Sequence, residues 1–284
     1  MSAIRSIGVV GAGTMGNGIA QVFAQAGFNV YLQDTVLDAL DRARTTIEAS
    51  LARLVSKNIL HKDERDRTLE RLSTVRDLGA FSEVDYIVEA IIEDTDTKKK
   101  LFTALDSLVG SSVILASNTS SISISTLAAT TARPDRVLGM HFMNPAPLMP
   151  LVELVKGQHT SQETMAAAVA LCDRLKKTAV ESADRPGFIA NRILMPMINE
   201  AIYALMDNVG TAEAIDTVMK LGMKHPMGPL ALADLIGLDV CLDIMQVLHE
   251  GFGDDKYQPC PLLRQMVEAR TLGRKTGAGF YNYS

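Results

Sequence analysis

The sequence predicts an α/β fold, with an N-terminal domain on a mostly parallel sheet and a C-terminal all-helical domain. Two observations lead there. Through the first half, short apolar runs rich in β-branched residues alternate with longer amphipathic ones, the pattern of strands covered by helices on both faces. After Asp184-Arg185-Pro186-Gly187 the strand pattern stops and long apolar helical stretches take over. A length of 284 residues suits two domains, and a Pro-Gly pair suits the junction between them. The expected domains are residues 1–185 and residues 186–284.

The predicted buried strands are Ile7-Gly8-Val9-Val10, Phe28-Asn29-Val30-Tyr31-Leu32, Asp85-Tyr86-Ile87-Val88-Glu89, Val113-Ile114-Leu115-Ala116, Val137-Leu138-Gly139-Met140 and Leu151-Val152-Glu153-Leu154-Val155. Helical patterns over 16–26, 36–60 and 97–109 separate the first of them. Ser121-Ile122-Ser123-Ile124-Ser125 alternates like a strand, but the Thr126-Leu127-Ala128-Ala129 that follows favours a helix start. The segment 36–78 is long for one crossover and holds the charged run Lys62-Asp63-Glu64-Arg65-Asp66-Arg67. It predicts a helix pair projecting from the sheet, either a mobile lid or a solvated hairpin. In the second half, 188–206, 211–221 and 230–250 read as helices, the first kinked at Pro196. These helices are apolar nearly all round, which requires cover on most faces. So small a domain offers little, and two-fold pairing is the common solution. A homodimer through this domain is expected.

Composition excludes several classes. Hydrophobic residues make up 47% and charged residues 21%, with a formal net charge of -5. No basic-aromatic patch suggests nucleic acid; the run Lys98-Lys99-Lys100 reads as a solvated helix face. Cys172, Cys241 and Cys260 are far apart with no metal-ligand spacing, so no metal is expected and reduced thiols are. The N-terminus lacks a signal-peptide pattern and no apolar run reaches spanning length. A cytoplasmic protein with no membrane partner is expected.

Gly11-Ala12-Gly13-Thr14-Met15-Gly16 fits G-x-G-x-x-G between a strand and a helix, the setting that turns a weak pattern into a Rossmann dinucleotide site. Gly11 permits the turn, Gly13 the approach of a pyrophosphate, and Gly16 the packing of helix on strand. The N–H groups of the first helical turn, Thr14 and Met15 included, then meet the phosphates. Asp34 ends the second strand, where a carboxylate accepts hydrogen bonds from ribose hydroxyls and repels a 2′-phosphate. NAD is therefore the expected cofactor.

Chemistry should come from residues at the carboxyl ends of the strands. Ser117-Asn118-Thr119-Ser120-Ser121 follows one strand and His141 ends the next. Glu153 sits among aliphatics, where a carboxylate needs a partner. A His–Glu pair makes a general base, the carboxylate fixing the tautomer and stabilising the imidazolium. A structural histidine on an apolar strand is the competing explanation. The segments GAGTMGNGIA, VEAIIED, SNTSSISI, GMHFMNPAPLMPLVELV, DRPGFIANRI, KHPMGPLALADLIGLD and GRKTGAGFY together resemble the L-3-hydroxyacyl-CoA dehydrogenase family along essentially the whole chain, specifically its short bacterial 3-hydroxybutyryl-CoA members.

The resemblance implies roles. His141 is the catalytic base and Glu153 its orienting carboxylate. Ser120 contacts the substrate's C3 oxygen, and Asn191 completes the site from the second domain. Glu93, Lys98, Asn144 and Lys275, together with Ser120, contact NAD, although a solvated lysine is the plain alternative for Lys98 and Lys275. Ser50 and Lys57, in the helix pair, touch the coenzyme A of an acyl-CoA substrate. The implied reaction is oxidation of a (3S)-hydroxyacyl-CoA to the 3-ketoacyl-CoA and its reverse. Two rivals stand beside it: a related dehydrogenase of a free hydroxy acid, and an NAD-binding protein without catalysis.

Overall fold

The computed structural model describes residues 4–283. The chain divides into two compact units, Met1–Asp184 and Arg185–Ser284. In the first unit the elements run β1 (Ser6–Val10), α1 (Thr14–Gln25), β2 (Asn29–Gln33), α2 (Leu37–Ser56), α3 (Lys62–Glu70), β3 (Leu72–Val75), β4 (Tyr86–Glu89), α4 (Thr95–Leu108), β5 (Ile114–Ser117), α5 (Ile124–Ala128), β6 (Val137–Phe142), β7 (Leu151–Lys156), α6 (Gln162–Arg174) and β8 (Thr178–Ala183). They build one eight-stranded sheet of order β3-β2-β1-β4-β5-β6-β7-β8. Every neighbouring pair is parallel except β6 and β7. The order reverses between β1 and β4, and ligands of such sheets bind at the carboxyl ends of the strands beside that reversal.

Fully buried runs account for the central strands: all four residues of β4 and β5, and all six of β6, are buried. Helix α1 buries Ile19, Ala20, Phe23 and Ala24, one stripe at helical spacing. Ser123 caps α5 by accepting from the Thr126 N–H, so the alternating 121–125 segment does lead into a helix.

Two strands lie outside the six expected. β3 falls inside the segment read as a helix pair, and β8 precedes the junction. Both are sheet edges. Ser73 and Thr74 of β3 are exposed, and β8 buries only Ser182 fully, so neither carries an apolar signature. The helix pair also does not simply project. Leu40, Ala43, Ile47 and Leu51 of α2 are buried in the core beneath the sheet.

The second unit holds α7 (Ala190–Met206), α8 (Ala212–Thr217), α9 (Pro229–Ile236), α10 (Leu238–Phe252) and α11 (Pro261–Glu268). The stretch 230–250, expected as one helix, is two: Gly237 sits at φ 106°, a conformation side chains disfavour, and turns the chain between α9 and α10. The stretch expected at 211–221 is α8 followed by a single π turn, Val218–Gly222. Helix α7 runs on through Pro196. Met195, Ile198, Ile202, Leu230, Leu238 and Leu248 form its core. Two buried carboxylates hold the tail. Asp216 accepts from the Leu230 and Ala231 N–H groups (2.9 Å each) and from the Tyr281 hydroxyl (2.8 Å). Asp234 accepts from the Phe280 and Tyr281 N–H groups and the Tyr283 hydroxyl, each at 3.0 Å.

All three cysteines are buried, and burial pushes the Cys172 and Cys241 thiols up to about 12, which keeps them from forming thiolates. Among the described residues, no helix is long and apolar enough to cross a membrane.

Candidate active site

The glycine turn is built as tightly as its spacing predicts. Gly11 has φ 97°, and a Cβ there would lie 2.6 Å from the Ala90 carbonyl oxygen. A Cβ on Gly16 would fall 1.7 Å from the Gly11 oxygen. Around Gly13 a Cβ would meet no described atom within 4 Å, so the space above it is open to a ligand. Among the described residues no side chain caps α1, and its first turn carries no acidic group. The N–H groups of Thr14, Met15 and Gly16 thus sit at a helix end suited to a pyrophosphate. A cavity of about 770 Å³ adjoins the turn, lined by Gly11, Gly13, Asp34, Val36, Ala90 and Ile91 among others. Asp34 accepts from the Ala12 and Val36 N–H groups, 2.9 Å each. Each carboxylate oxygen has a second lone pair, so Asp34 can hold the turn and still accept from ribose hydroxyls. These residues fit a dinucleotide.

Next to the turn, the ends of β4 and β5 are joined by buried charge. Glu89 is fully buried and accepts from Lys98 Nζ (2.5 Å), the Ile91 N–H (2.7 Å) and Ser117 Oγ (2.6 Å). Lys98 is 1% exposed and also lies 3.3 Å from Glu93. Neither a solvated helix face nor a solvated lysine therefore describes Lys98; its partner is hidden in the strand before it. Glu93 Oε1 accepts from the Ser120 N–H (2.9 Å), the Ser121 N–H (3.1 Å), the Ser121 hydroxyl (2.9 Å) and the Thr119 hydroxyl. Burial works to raise the Glu93 pKa. The Lys98 ammonium and the bonds from Thr119, Ser121 and Ser120 outweigh it and hold the carboxyl below its ordinary value. Removing Lys98 strands the buried Glu89 carboxylate, at a cost of about 3–5 kcal/mol, whereas neutralising Glu89 leaves Lys98 with Glu93 alone.

His141 and Glu153 stand directly opposite each other in the antiparallel β6–β7 pair. His141 Nδ1 lies 3.0 Å from Glu153 Oε2, both residues being buried. Register explains the contact, since opposed residues on adjacent strands bring their side chains within reach. His141 is next to last in β6, at the carboxyl edge the parallel strands share. Asn118 Oδ1 accepts from the Phe142 N–H at 2.9 Å and ties the loop that carries Ser120 to this end of β6.

The other candidates are more scattered. Asn144 is exposed in the β6–β7 connection. That connection is held by Lys177, whose Nζ donates to the Ala146 and Met149 carbonyls at 2.8 and 2.7 Å. Burial lowers the Lys177 pKa. Ser50 is half-buried near the far end of α2, with exposed Lys57 just beyond it. Asn191 (buried) and Lys275 lie in the second unit, Lys275 bonded to both Asp239 carboxylate oxygens. Sequence reasoning missed Glu89, Lys177 and Asp184, and placed Asn118 only within the polar segment that carries Ser120. Asp184 accepts from the Ser123 and Ser125 hydroxyls and the Ile124 and Ser125 N–H groups at the start of α5. Only Glu89 left a signal, an acid closing an apolar run, the same cue that singled out Glu153.

Residues 6–185 match the NAD-binding domain model of 3-hydroxyacyl-CoA dehydrogenase, and residues 187–283 match that enzyme's C-terminal domain model. The chain is 54% identical over 276 residues to a probable 3-hydroxybutyryl-CoA dehydrogenase of Deinococcus radiodurans, covering 97% of this chain and 99% of the relative. It is 52% identical to the 3-hydroxybutyryl-CoA dehydrogenase of Bradyrhizobium diazoefficiens, covering 99% and 96%. The crystal structure of (S)-3-hydroxybutyryl-CoA dehydrogenase from Ralstonia eutropha superposes with a TM-score of 0.96 at 49% identity, over 99% of this chain and 100% of that one. With its glycine turn, its His–Glu pair and the two domain models matched over residues 6–185 and 187–283, the chain belongs to the 3-hydroxyacyl-CoA dehydrogenase family, whose cofactor is NAD.

Proposed function

We propose that this chain interconverts (3S)-3-hydroxybutyryl-CoA and acetoacetyl-CoA, with His141 moving the proton. The observation that carries the assignment is the His141–Glu153 pair at the carboxyl edge of the sheet. Glu153 engages Nδ1, so proton exchange with a substrate falls to Nε2. The carboxylate orients the ring and stabilises the imidazolium formed when His141 takes the C3 hydroxyl proton. NAD, held by the Gly11–Gly16 turn and Asp34, would supply the hydride acceptor for C3 in oxidation and, as NADH, the hydride donor in reduction. Ser120 hydrogen-bonds the C3 oxygen as its charge changes, and the family resemblance gives Asn191 a second bond to the same atom. Ser50 and Lys57 are seven positions apart, two helical turns, and so share a side of the chain; Lys57 supplies a cation for coenzyme A phosphates. Reduction of acetoacetyl-CoA by NADH should exceed that of free acetoacetate by orders of magnitude in kcat/KM. Equal values would favour a dehydrogenase of free hydroxy acids.

Asp34 sets the cofactor. A 2′-phosphate there meets a carboxylate fixed by two backbone N–H groups. The expected result is at least about a tenfold preference for NADH over NADPH, since about 1.4 kcal/mol of repulsion suffices. Comparable kcat/KM for the two would contradict the role of Asp34.

The assembly proposed is a homodimer formed through the second unit. Its surface keeps Ile193, Val209, Leu221 and Met223 more than 60% exposed, with Val218 and Leu235 also exposed. A two-fold pair lets such residues on one copy be covered by the same surface of the other. Sedimentation equilibrium should give twice the chain mass at micromolar concentration; a stable monomer would reject the pairing.

A further inference from the structure

We propose that Glu89 is a positioning residue for the reaction, acting on Ser120 through Lys98 and Glu93; this rests on the reading of Ser120 given above. Glu89 ends β4, is fully buried, and gathers three donors from three segments: Ile91 from the turn beyond its own strand, Lys98 from α4 and Ser117 from β5. Its backbone carbonyl accepts the Asn118 N–H at 2.8 Å. The two residues that lead into the Ser120 loop are thereby fixed to one point. Ser120 itself is held from the other side, its N–H donating to Glu93. Lys98 lies between the two carboxylates, 2.5 Å from Glu89 and 3.3 Å from Glu93. The ammonium's place depends on the balance between them.

Glu89→Gln removes half of that balance while keeping shape and acceptor. The ammonium then moves toward Glu93, its remaining carboxylate. Glu93 shifts its hydrogen bonds away from the Ser120 and Ser121 N–H groups, and the Ser120 hydroxyl loses its alignment with the C3 oxygen. Small misplacements of this kind cost as much as about 10²-fold in rate. A structural role alone lowers stability and leaves turnover below the melting temperature unchanged.

A double-mutant cycle separates these cases. The full-length protein, Glu89→Gln, Ser120→Ala and the double variant are compared for acetoacetyl-CoA reduction at saturating NADH. The expected Glu89→Gln protein has kcat lowered about tenfold or more, with the acetoacetyl-CoA KM within about twofold of the parent. Introduced into Ser120→Ala, the same change produces no further loss. An equal loss in both backgrounds, or a folded Glu89→Gln protein with parental kcat, overturns the positioning role alone. A Ser120→Ala protein with parental kcat overturns the reading of Ser120 and the proposal with it. If Glu89→Gln does not fold, Glu89→Asp takes its place in the cycle. It keeps the charge but draws the carboxylate back from Lys98 and Ser117, and the same loss confined to the background that keeps Ser120 is expected.

Discussion

Replacing His141 with Gln is expected to leave a folded protein that still binds NADH and to lower kcat for acetoacetyl-CoA reduction by about 10²–10⁴-fold, the usual contribution of a positioned acid–base. Gln is the cleaner substitution. Glu153 is 2% exposed and accepts at His141 Nδ1; a Gln amide can donate to it, whereas His141→Ala takes that donor from a buried carboxylate. The Ala protein should therefore melt below the Gln protein while losing activity to a similar degree. Glu153→Gln should also be slow for a different reason. Its amide can donate to Nδ1 and drive the proton to Nε2, the wrong tautomer for a base facing a hydroxyl. NADH titration by fluorescence together with steady-state kinetics checks all three. A His141→Gln protein with near-parental kcat at neutral pH would reject the assignment.

Local pattern reveals only part of this molecule. The central strands were legible because burial on both faces leaves uninterrupted apolar runs, and the His141–Glu153 pair because an acid among aliphatics demands a partner. The edge strands β3 and β8 escaped notice for the complementary reason. An edge faces water, so Ser73, Thr74 and Glu181 look no different from loop residues. Gly237 lay within an unbroken helical period, and only its backbone angle reveals the break. Lys98 shows the limit most sharply. In sequence it heads a run of three lysines, and nothing local distinguishes it from Lys99 or Lys100. The fold does, because α4 starts close enough to the end of β4 for Nζ to reach Glu89. Charge pairing across a strand-to-helix turn is a tertiary fact, and so is the loop geometry that depends on it.

The two glycines of the turn should fail in different ways when each is changed to Ala. For Gly16→Ala the new methyl carbon would sit 1.7 Å from the Gly11 oxygen and 2.8 Å from its carbonyl carbon. Both are backbone, and neither wall yields easily. On one side, α1 is locked into the core by Ile19, Ala20 and Phe23, all fully buried. On the other, Gly11 donates to the Gln33 carbonyl at 2.7 Å and lies against Ala90. Overpacking of this kind costs about 1–3 kcal/mol, so melting should drop by a few degrees. The turn that presents the phosphate-binding N–H groups moves with it, and NADH affinity should fall by at least about tenfold, or about 1.4 kcal/mol. Gly13→Ala differs. Its φ of -66° and ψ of -169° suit any residue, and no described atom lies within 4 Å of the added carbon. Melting without cofactor should stay close to the parent's, because only the space meant for the pyrophosphate is filled. NADH affinity should still drop by about tenfold or more, and NADH should no longer raise the melting temperature as it does for the parent. Thermal melting with and without NADH, alongside calorimetric titration, reads both effects. If Gly13→Ala binds NADH as the parent does, the cofactor's phosphates do not approach the chain at Gly13. If Gly16→Ala retains parental melting and affinity, the contact between the start of α1 and the Gly11 turn is not what shapes the site.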